Sequence, residues 1–327
     1  MRWADGQFPK QFHVFRDQLR LVLTDASFPV SVVVAAWPDT AGLIQCLDAL
    51  QLQSDELVQI FVVSPLPAPT DLGRNHPAVQ WLVADSSALI PNLWSIGMAA
   101  ATGEVIAITT AHFLPAPDWI AQIRAAHRRF DSAGIGGPID PPRGGSLGDW
   151  ATYFLRYSTA FIYQDEQTVH DLIGDNASYQ RSALQAHWES IRVGFWEPEF
   201  HRRVLAEGRK LTFVPAIRIT QKHSFGISRF CSQRLNHGRH YGRDRMRGKP
   251  ALLRVAGIVL APLIPFVLLA KIMARLLHKP AYMLPFLASL PVLLLFIGSW
   301  ALGELWGYLS RATPDGPSLG ATGHLSA

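Results

Sequence analysis

The sequence predicts an α/β protein with a mostly parallel sheet, helices on both of its faces and a C-terminal apolar helical hairpin. The first observation is the alternation of β-branched runs with helical patterns from Pro29 to Arg129. The second is a charged fraction of 17%, against about 25% in a typical soluble domain. The third is a pair of long uncharged apolar stretches after Lys249. With a mean hydropathy of +0.13, this composition excludes a disordered chain and argues against an ordinary soluble enzyme.

The first half of the chain predicts buried strands separated by helices. The run VSVVVAA has the continuous apolarity of a strand that is buried on both faces. After it, Leu43, Leu47 and Leu50 recur at helical spacing. The predicted strands are Val30–Ala36, Val58–Val63, Ala78–Val83 and Glu104–Thr109, and the predicted helices are Ala41–Leu52, Leu93–Thr102 and Asp118–Phe130.

The pattern after Arg129 is less regular. Gly134–Gly148 is rich in Gly and Pro and predicts a loop. The remaining predictions are a helix at Trp150–Tyr163, a turn into a strand at Gly174–Tyr179, a helix at Glu199–Glu207, and short strands at Leu211–Pro215 and Ile217–Thr220.

Two apolar segments near the C-terminus predict a helical hairpin in a membrane. Val255–Ala270 gives about 24 Å of helix, short of the roughly 30 Å hydrocarbon core, whereas Pro280–Gly303 is long enough to span it. Two full spans would put Lys271, Arg275 and Lys279 outside, against the positive-inside rule. A re-entrant or in-plane first segment removes this conflict. The sequence leaves both arrangements open, and also a buried helix pair in a soluble protein.

The net charge of +5 is concentrated just before the apolar segments, where arginines crowd between positions 229 and 254. A basic cluster beside a membrane segment indicates binding to anionic lipid headgroups. No zinc-finger or RNP-type motif supports a nucleic-acid partner. The first residues lack a signal-peptide core, so the N-terminal domain is expected in the cytoplasm, attached to a cell inner membrane that is crossed more than once or partly re-entered.

These features divide the chain into five predicted parts. They are an N-terminal extension at 1–28, an α/β domain at 29–228, a basic juxtamembrane segment at 229–250, a membrane hairpin at 251–310 and a flexible tail at 311–327.

Four stretches in order resemble the family 2 glycosyltransferases of the GT-A fold. They are VSVVVAAWPDTAGLIQCLDAL, ATGEVIAITTAHFLPAPDWI, GDNASYQRSAL and FWEPEFHRRVLAEGRKLTFVPAIRITQKH. The resemblance covers roughly Pro29 to Arg247 and implies a GT-A domain that binds a nucleotide sugar. It implies a general base at Glu197, with Glu199 second, and a further carboxylate at Asp175; turn chemistry at Asp175 and a helix start at the two glutamates are the structural alternatives.

The resemblance also implies where the nucleotide sugar binds. Contacts are expected from the ends of the first, second and fourth strands, and from the basic segment, whose equivalent in related membrane transferases holds diphosphate. The residues are Ala35, Trp37, Asp39, Ser64, Thr110, Gln233, Arg234 and Arg239. Asp39 could equally serve as a helix N-cap.

The family's acidic metal motif is degenerate in this chain, because it falls on Thr110, Ala111 and His112. Carboxylates suit Mg²⁺ or Mn²⁺, and a threonine with one imidazole does not. The resemblance implies Mg²⁺ or Mn²⁺, with His112 and His223 as the ligands, but the missing carboxylates weaken this expectation. His201, His237 and His240 are expected at the surface or the membrane interface.

The sequence thus predicts a membrane-anchored glycosyltransferase acting on a nucleotide-sugar donor and a lipid-linked or polysaccharide acceptor. Membrane lipids and proteins of a glycan assembly complex are its expected partners. The alternative is a catalytically inactive subunit that binds a partner transferase or a glycan, because Ser64 and Thr110 stand where acids are expected.

Overall fold

A computed structural model describes residues 28–36, 42–53, 58–222, 226–246 and 248–310 of the 327-residue chain, apart from the Asp244 side chain. All but one residue of the predicted N-terminal extension and the whole predicted tail lie outside these ranges. The statements below concern the described residues.

The centre of the molecule is a mixed sheet with the strand order β3-β2-β1-β4-β9-β6-β10-β8. Strands β1 to β4 are parallel to one another, whereas β9 runs antiparallel to both β4 and β6. A small second sheet has the order β5-β11-β7. The strands are β1 (Val30–Ala35), β2 (Val58–Ser64), β3 (Val79–Val83), β4 (Val105–Thr110), β5 (Phe113–Pro115), β6 (Gly134–Gly136), β7 (Ile139–Asp140), β8 (Gln167–Val169), β9 (Ala177–Gln180), β10 (Leu211–Phe213) and β11 (Ile219–Gln221).

Helices connect these strands and then continue past the sheets. Those of the α/β part are α1 (Leu43–Gln51), α2 (Leu72–Asn75), α3 (Ile90–Ala100), α4 (Trp119–Arg129), α5 (Leu147–Tyr157), α6 (Arg181–Ala186), α7 (Trp188–Ile191) and α8 (Glu197–Ala206). Those that follow are α9 (Ile227–Arg245), α10 (Ala251–Leu260), α11 (Ile264–Leu276) and α12 (Met283–Leu309).

The elements predicted for the first half of the chain are confirmed to within a few residues at their ends. The loop predicted at Gly134–Gly148 is wrong, because β6 and β7 lie inside it. A strand that contains glycines is difficult to predict from the sequence, since glycine has a low strand propensity. Here close neighbours require them: a β-carbon on Gly134 would collide with the Tyr179 ring, and one on Gly136 with the backbone oxygen of Asn176.

The main core continues from the sheet into the C-terminal helices. Every residue of β1 is buried, as expected for a central parallel strand. The same apolar cluster includes Phe154 of α5 and Leu268, Phe286 and Phe296 of the C-terminal helices. The C-terminal helices therefore pack on the α/β part rather than projecting away from it.

Two C-terminal segments are long and apolar enough to cross a membrane. They are Ala251–Leu276, with a mean hydropathy of 2.4, and Pro280–Leu309, with 2.0. The first is divided by a short 3-10 turn at Ala261–Leu263 that contains Pro262. Proline removes a backbone donor and clashes with the preceding turn, which explains the interruption.

Helices α9 and α12 run parallel and touch through their backbones at four glycines. A β-carbon on Gly238 would collide with the Trp300 carbonyl, and one on Gly242 with the Glu304 carbonyl. In the other direction, β-carbons on Gly303 and Gly307 would collide with carbonyls of α9. Each pair is spaced four residues apart, the small-residue pattern that allows helices to approach closely.

The buried carboxylate of Glu304 in α12 forms hydrogen bonds within its own helix and with α9. Glu304 accepts hydrogen bonds from Trp300 Nε1 at 3.0 Å, from Arg245 Nη1 at 3.2 Å and from the Tyr308 hydroxyl. Arg245 also donates to the Tyr308 hydroxyl at 3.3 Å. A buried charge is tolerated when it is paired and hydrogen-bonded in this way.

We expect Gly303→Ala to lower the free energy of unfolding by about 1–3 kcal/mol, because its new methyl group would meet the Leu235 carbonyl. Gly298→Ala is the matched control in the same helix, since nothing lies within 4 Å of a β-carbon there. The control should be neutral or slightly stabilising, because alanine is the better helix former. Thermal unfolding in detergent measures both, and equal melting temperatures would contradict the close contact.

Candidate active site

The carboxyl ends of β1, β2 and β4 meet at one edge of the sheet and bring three predicted nucleotide residues together. Ala35 pairs with Thr110 of β4 and with Val63, the residue before Ser64. The backbone N–H of Ala111 continues this contact by donating to the Ala35 carbonyl at 3.0 Å. This edge is where ligands bind in open parallel sheets. The Ser64 hydroxyl is already used, as the acceptor for the Leu66 N–H at 3.1 Å.

A tight turn beside β4 carries the first candidate carboxylate, Asp175. It lies in the 3-10 turn Gly174–Asn176, which leads directly into β9. Because β9 is antiparallel to β4, the turn lies at the same edge as Thr110. Asp175 is buried and accepts hydrogen bonds from Arg156 Nη2 at 2.9 Å and from the Tyr157 hydroxyl at 3.2 Å.

The turn is held rigid by the amide of the neighbouring Asn176. Its Oδ1 accepts from Trp119 Nε1 at 2.8 Å. Its Nδ2 donates to the carbonyls of Pro138 and Ile217 at 2.8 and 2.9 Å. All three links are buried or partly buried, so Asp175 is presented from a fixed backbone.

The second candidate carboxylate, Glu197, is the first residue of α8 and packs directly on this turn. A β-carbon on Gly174 would collide with the Glu197 carboxylate, so only glycine leaves it room. Burial is the main cause that raises the pKa of Glu197 to about 8, and the nearby charges of Asp175 and Asp171 add to it. Arg156 acts in the opposite direction because it stabilises the charged form.

Helix α9 brings a second guanidinium, Arg234, towards Arg156. Burial and the repulsion from Arg156 lower the pKa of Arg234 to about 9, so it still carries its charge at neutral pH. Its Nε is buried without a hydrogen-bond partner among the described residues. Its guanidinium lies over the rings of Phe230 and Trp300, 5.0 and 5.7 Å from their centroids.

His237 sits one turn further along α9 and is neutral. Burial, followed by the charges of Arg234 and Arg156, lowers the pKa of His237 to about 3. Its Nδ1 lies 3.2 Å from Arg234 Nη2. The cluster therefore holds two positive guanidiniums against one carboxylate that is paired and one, Glu197, that is mostly protonated at pH 7. This excess of positive charge favours an anionic ligand.

Three further residues that were predicted for the site lie on helices, and two of them contact side chains outside the carboxylate and arginine cluster. Glu199 forms ion pairs with Arg202 and Arg203; desolvation opposes the change, but their hydrogen bonds outweigh it and lower the pKa of Glu199. Arg239 lies over the ring of Trp306 at 4.3 Å from its centroid, on the side of α9 that faces α12. Gln233 is half-buried, and its Oε1 has no hydrogen-bond partner in the described parts of the chain.

His112 lies at the strand edge between Thr110 and β5, and its carbonyl accepts from the N–H of Lys222 at 2.9 Å. Within the ranges that the structure describes, no three His, Cys, Asp or Glu side chains converge. These residues therefore do not form a complete cation site. Trp37, Asp39 and His223 lie outside the described residues.

Sequence reasoning missed Arg156 and Tyr157, which hold Asp175. The available signal was a lone arginine in the aromatic helical run WATYFLRY, where a charge needs a buried partner. The surface position expected for His201 is wrong, because it is buried between the Tyr179 hydroxyl, 2.9 Å from its Nε2, and Asp171. His237 is likewise half-buried rather than on the surface.

A family model described as glycosyl transferase family 2 matches residues 92–188. This range holds β4, Thr110, His112, Arg156 and Asp175, and it ends before Glu197 and Arg234. The resemblance predicted from the sequence and the GT-A-like α/β fold are thereby confirmed.

Two solved structures are similar to this chain at low identity. GalNAc-T7 with UDP, GalNAc and Mn²⁺ aligns at 17% identity and a TM-score of 0.46, over 60% of this chain and 43% of its own. The chain thus spans less than half the length of that protein. The mannosyltransferase PcManGT from Pyrobaculum calidifontis, in complex with GDP-Man and Mn²⁺, aligns at 16% identity and a TM-score of 0.49, over 91% and 95%. A search of curated proteins gives no match.

We expect Glu197→Gln to stabilise the protein more at pH 9 than at pH 5. In the folded protein the pKa of Glu197 is about 8, raised from 4.5. The folded state therefore holds the proton more tightly than the unfolded state, and the resulting stabilisation of the fold is complete below pH 4.5. This stability is lost as the pH rises through 8. Glutamine does not titrate, so the gain in melting temperature over the parent should grow with pH.

Glu199→Gln is the control for this measurement, since its lowered pKa gives the opposite sign. The parent's ion-paired carboxylate stabilises the fold above the unfolded pKa and loses that effect as the pH falls. A difference between Glu197→Gln and the parent that stays constant from pH 5 to 9 would contradict the burial of this carboxylate.

Proposed function

We propose that this chain, which carries a glycosyl transferase family 2 segment at residues 92–188, is a membrane-associated glycosyltransferase that moves a sugar from a nucleotide-sugar donor to a lipid-linked or nascent glycan acceptor. The observation that carries the proposal is one constellation at the edge of the sheet. It consists of Glu197 with a raised pKa, Asp175 on a rigid turn, and the guanidiniums of Arg156 and Arg234.

The two guanidiniums suit the leaving group of such a reaction. Negative charge builds on the nucleoside diphosphate as the sugar bond breaks, and fixed cations lower the free energy of that state. Arginine offers a planar fork that matches phosphate oxygens. Arg234 is the freer of the two, since Arg156 already donates to Asp175 and Arg234 Nε has no described partner. We derive no step through a cation, because the described residues do not form a complete cation site.

Glu197 suits the role of the general base that takes the proton of the acceptor hydroxyl. A base is most effective when its pKa lies near the working pH. A pKa of about 8 leaves about a tenth of Glu197 ionised at pH 7, and this fraction rises steeply towards pH 8. Asp175 is the less suitable base, because Arg156 and Tyr157 already donate to the same oxygen, Oδ2. We assign to Asp175 the positioning of Arg156.

A lipid-linked acceptor is supported by the place of the cluster between the sheet and the C-terminal helices. Arg234 belongs to α9, which packs along α12. The outer sides of α10 to α12 expose large apolar residues, including Leu252, Phe266 and Leu284. A cell inner membrane, with the α/β part on its cytoplasmic side, and protein partners in a glycan assembly complex belong to this proposal.

A second candidate is a catalytically inactive, membrane-bound subunit that binds a partner transferase or a glycan. Ser64 and Thr110 favour it, because they stand at the strand ends where the resemblance leads us to expect acids. The two candidates differ in one measurable property: the enzyme transfers sugar, and the subunit does not.

Calorimetry with a panel of nucleoside diphosphates, with and without Mn²⁺, tests the donor site. We expect Arg234→Gln to weaken binding at least tenfold, because a charged partner of the diphosphate is lost. Arg128→Gln is the control and should bind like the parent, since Arg128 is exposed at the C-terminal end of α4. Binding of no nucleoside diphosphate in either condition, or equal losses in both variants, would contradict the proposal.

Sugar transfer to membrane glycolipids, followed with labelled donors, tests the base. The parent rate should rise with pH up to about 8, and Glu197→Gln should lose about 10²–10⁴-fold in rate together with this rise. Glu199→Gln should keep the pH profile, because its carboxylate is held by Arg202 and Arg203. If folded Glu197→Gln transfers sugar at the parent rate, Glu197 is not the base; if the parent binds nucleotide but transfers nothing, the inactive subunit is favoured.

A further inference from the structure

The inner side of α12 packs against α5 and α9 along its whole length. Its first half packs on α5, where Phe286 meets Phe154 with ring centroids 5.3 Å apart and planes nearly perpendicular. Its second half packs on α9 through the four glycines. No stretch of α12 long enough to cross a bilayer is free of these neighbours.

Helix α9 cannot accompany α12 through hydrocarbon. The two helices are parallel and level, since Phe230 lies beside Phe296 and Arg245 reaches Glu304 and Tyr308. Apart from Ile227 at its first position, the exposed residues of α9 whose side chains are described are polar and include Ser232, Asn236 and His240. Its basic side chains are Arg229, Arg234, Arg239, Arg243 and Arg245. Charged side chains in a bilayer core are costly, so the depth of α9 limits the depth of α12.

The turn between α11 and α12 returns to the α/β part. Arg275 Nη1 donates to the Ser158 hydroxyl at 3.4 Å, and Lys279 Nζ donates to Gln164 Oε1 at 3.3 Å. At the other end of the hairpin, Arg245 of α9 donates to Glu304 and to the Tyr308 hydroxyl of α12. Both ends of the hairpin are therefore tied to polar elements on one side. A hairpin of two full spans would carry its turn to the far side of the membrane.

The outer side of the same helices exposes large apolar side chains, which together we call the outer face. In α12 it is formed by Leu284, Leu287, Leu295, Leu302 and Leu309, which recur at helical spacing over roughly 38 Å. Phe266 of α11 and Leu252 and Val259 of α10 extend it. Residues 248–303 contain no acid but carry Lys249, Arg254, Lys271, Arg275 and Lys279.

We propose that α10, α11 and α12 lie in the plane of the membrane and anchor the protein to one leaflet without crossing it. The outer face enters the boundary between headgroups and acyl chains, and Lys249, Arg254 and Lys271 meet anionic headgroups. The turn at His278 and the end of α12 at Ser310 then stay on the side of the α/β part. This resolves the conflict of two spans with the positive-inside rule, because Lys271, Arg275 and Lys279 remain inside. The proposal rests on the membrane association proposed above and is independent of sugar transfer.

Cysteine labelling of the full chain in sealed membrane vesicles of both orientations tests the topology. Three positions are used singly: the exposed His278→Cys, the half-buried Ser310→Cys at the end of α12, and the exposed Gln185→Cys on α6 as the reference for the α/β side. Cys231 is replaced by alanine in all of them, whereas the buried Cys46 stays in place. Each variant must match the melting temperature of the parent before it is labelled with a membrane-impermeant maleimide.

We expect all three cysteines to react from the same side. Two full spans would make His278→Cys react from the side opposite to Gln185→Cys, and a single crossing by α12 would make Ser310→Cys do so. Either result overturns the in-plane arrangement while leaving the transferase proposal intact.

Flotation with vesicles that contain anionic lipid tests the outer face itself. Leu284→Glu and Leu302→Glu, whose parent residues are 77% and 63% exposed, should each reduce the bound fraction severalfold. Leu52→Glu is the matched control, because Leu52 is an 85% exposed leucine of the α/β part. Failure of the parent to float, or equal binding by all variants, overturns the anchor, and the labelled-donor assay decides separately whether the chain transfers sugar.

Discussion

The backbone contact between α9 and α12 is the constraint on which much of this structure depends. Four glycines let the two helices approach until carbonyls of one meet the Cα atoms of the other. Arg245 of α9 then links the two helices by donating to Glu304 and to the Tyr308 hydroxyl of α12. The contact sets where α9 lies, and α9 carries Arg234 and His237 towards the candidate active site. The same pair of helices therefore shapes both the charge of the site and the apolar surface beyond it.

The candidate site combines a rigid part and a docked part. The sheet and the amide of Asn176 hold the turn of Asp175, while α8 and α9 bring Glu197 and Arg234 to it from later positions in the chain. Arg156 pairs with Asp175 and acts on both of the others. Its charge lowers the pKa of Glu197, against the effect of burial, and lowers the pKa of Arg234, in addition to the effect of burial. A bound anion between the two guanidiniums would relieve their repulsion, which is a physical reason for ligand binding to tighten this region.

Local patterns in the sequence were sufficient for the first half of the fold. Continuous β-branched runs and helical leucine spacing predict β1, α1, β2 and β4 because burial there is set by position along one element. The strand β6 was missed because two of its three residues are glycines, which are required by neighbours far away in the chain. The strand β7 was missed because it has only two residues. Glu197 and Asp175 could be predicted from the family resemblance, and so could Arg234.

The remaining parts of the site depend on contacts that no local pattern encodes. Arg156 and Tyr157 lie on a helix whose role becomes visible only when β9 brings Asp175 beside it. The parallel packing of α9 on α12 was likewise hidden, since the GxxxG spacings at Gly238 and Gly303 lie in segments of very different polarity. The packing of these segments, rather than their hydropathy, is what bears on membrane topology.

The contact between Gly174 and Glu197 has a consequence for reading related chains. Because any side chain at position 174 would displace the carboxylate, a glycine at this position and an acid at position 197 form a physically linked pair. A sequence that keeps the acid but carries a larger residue in the turn must hold its carboxylate somewhere else. The pair thus distinguishes related sequences that can place a carboxylate beside this turn from those that cannot.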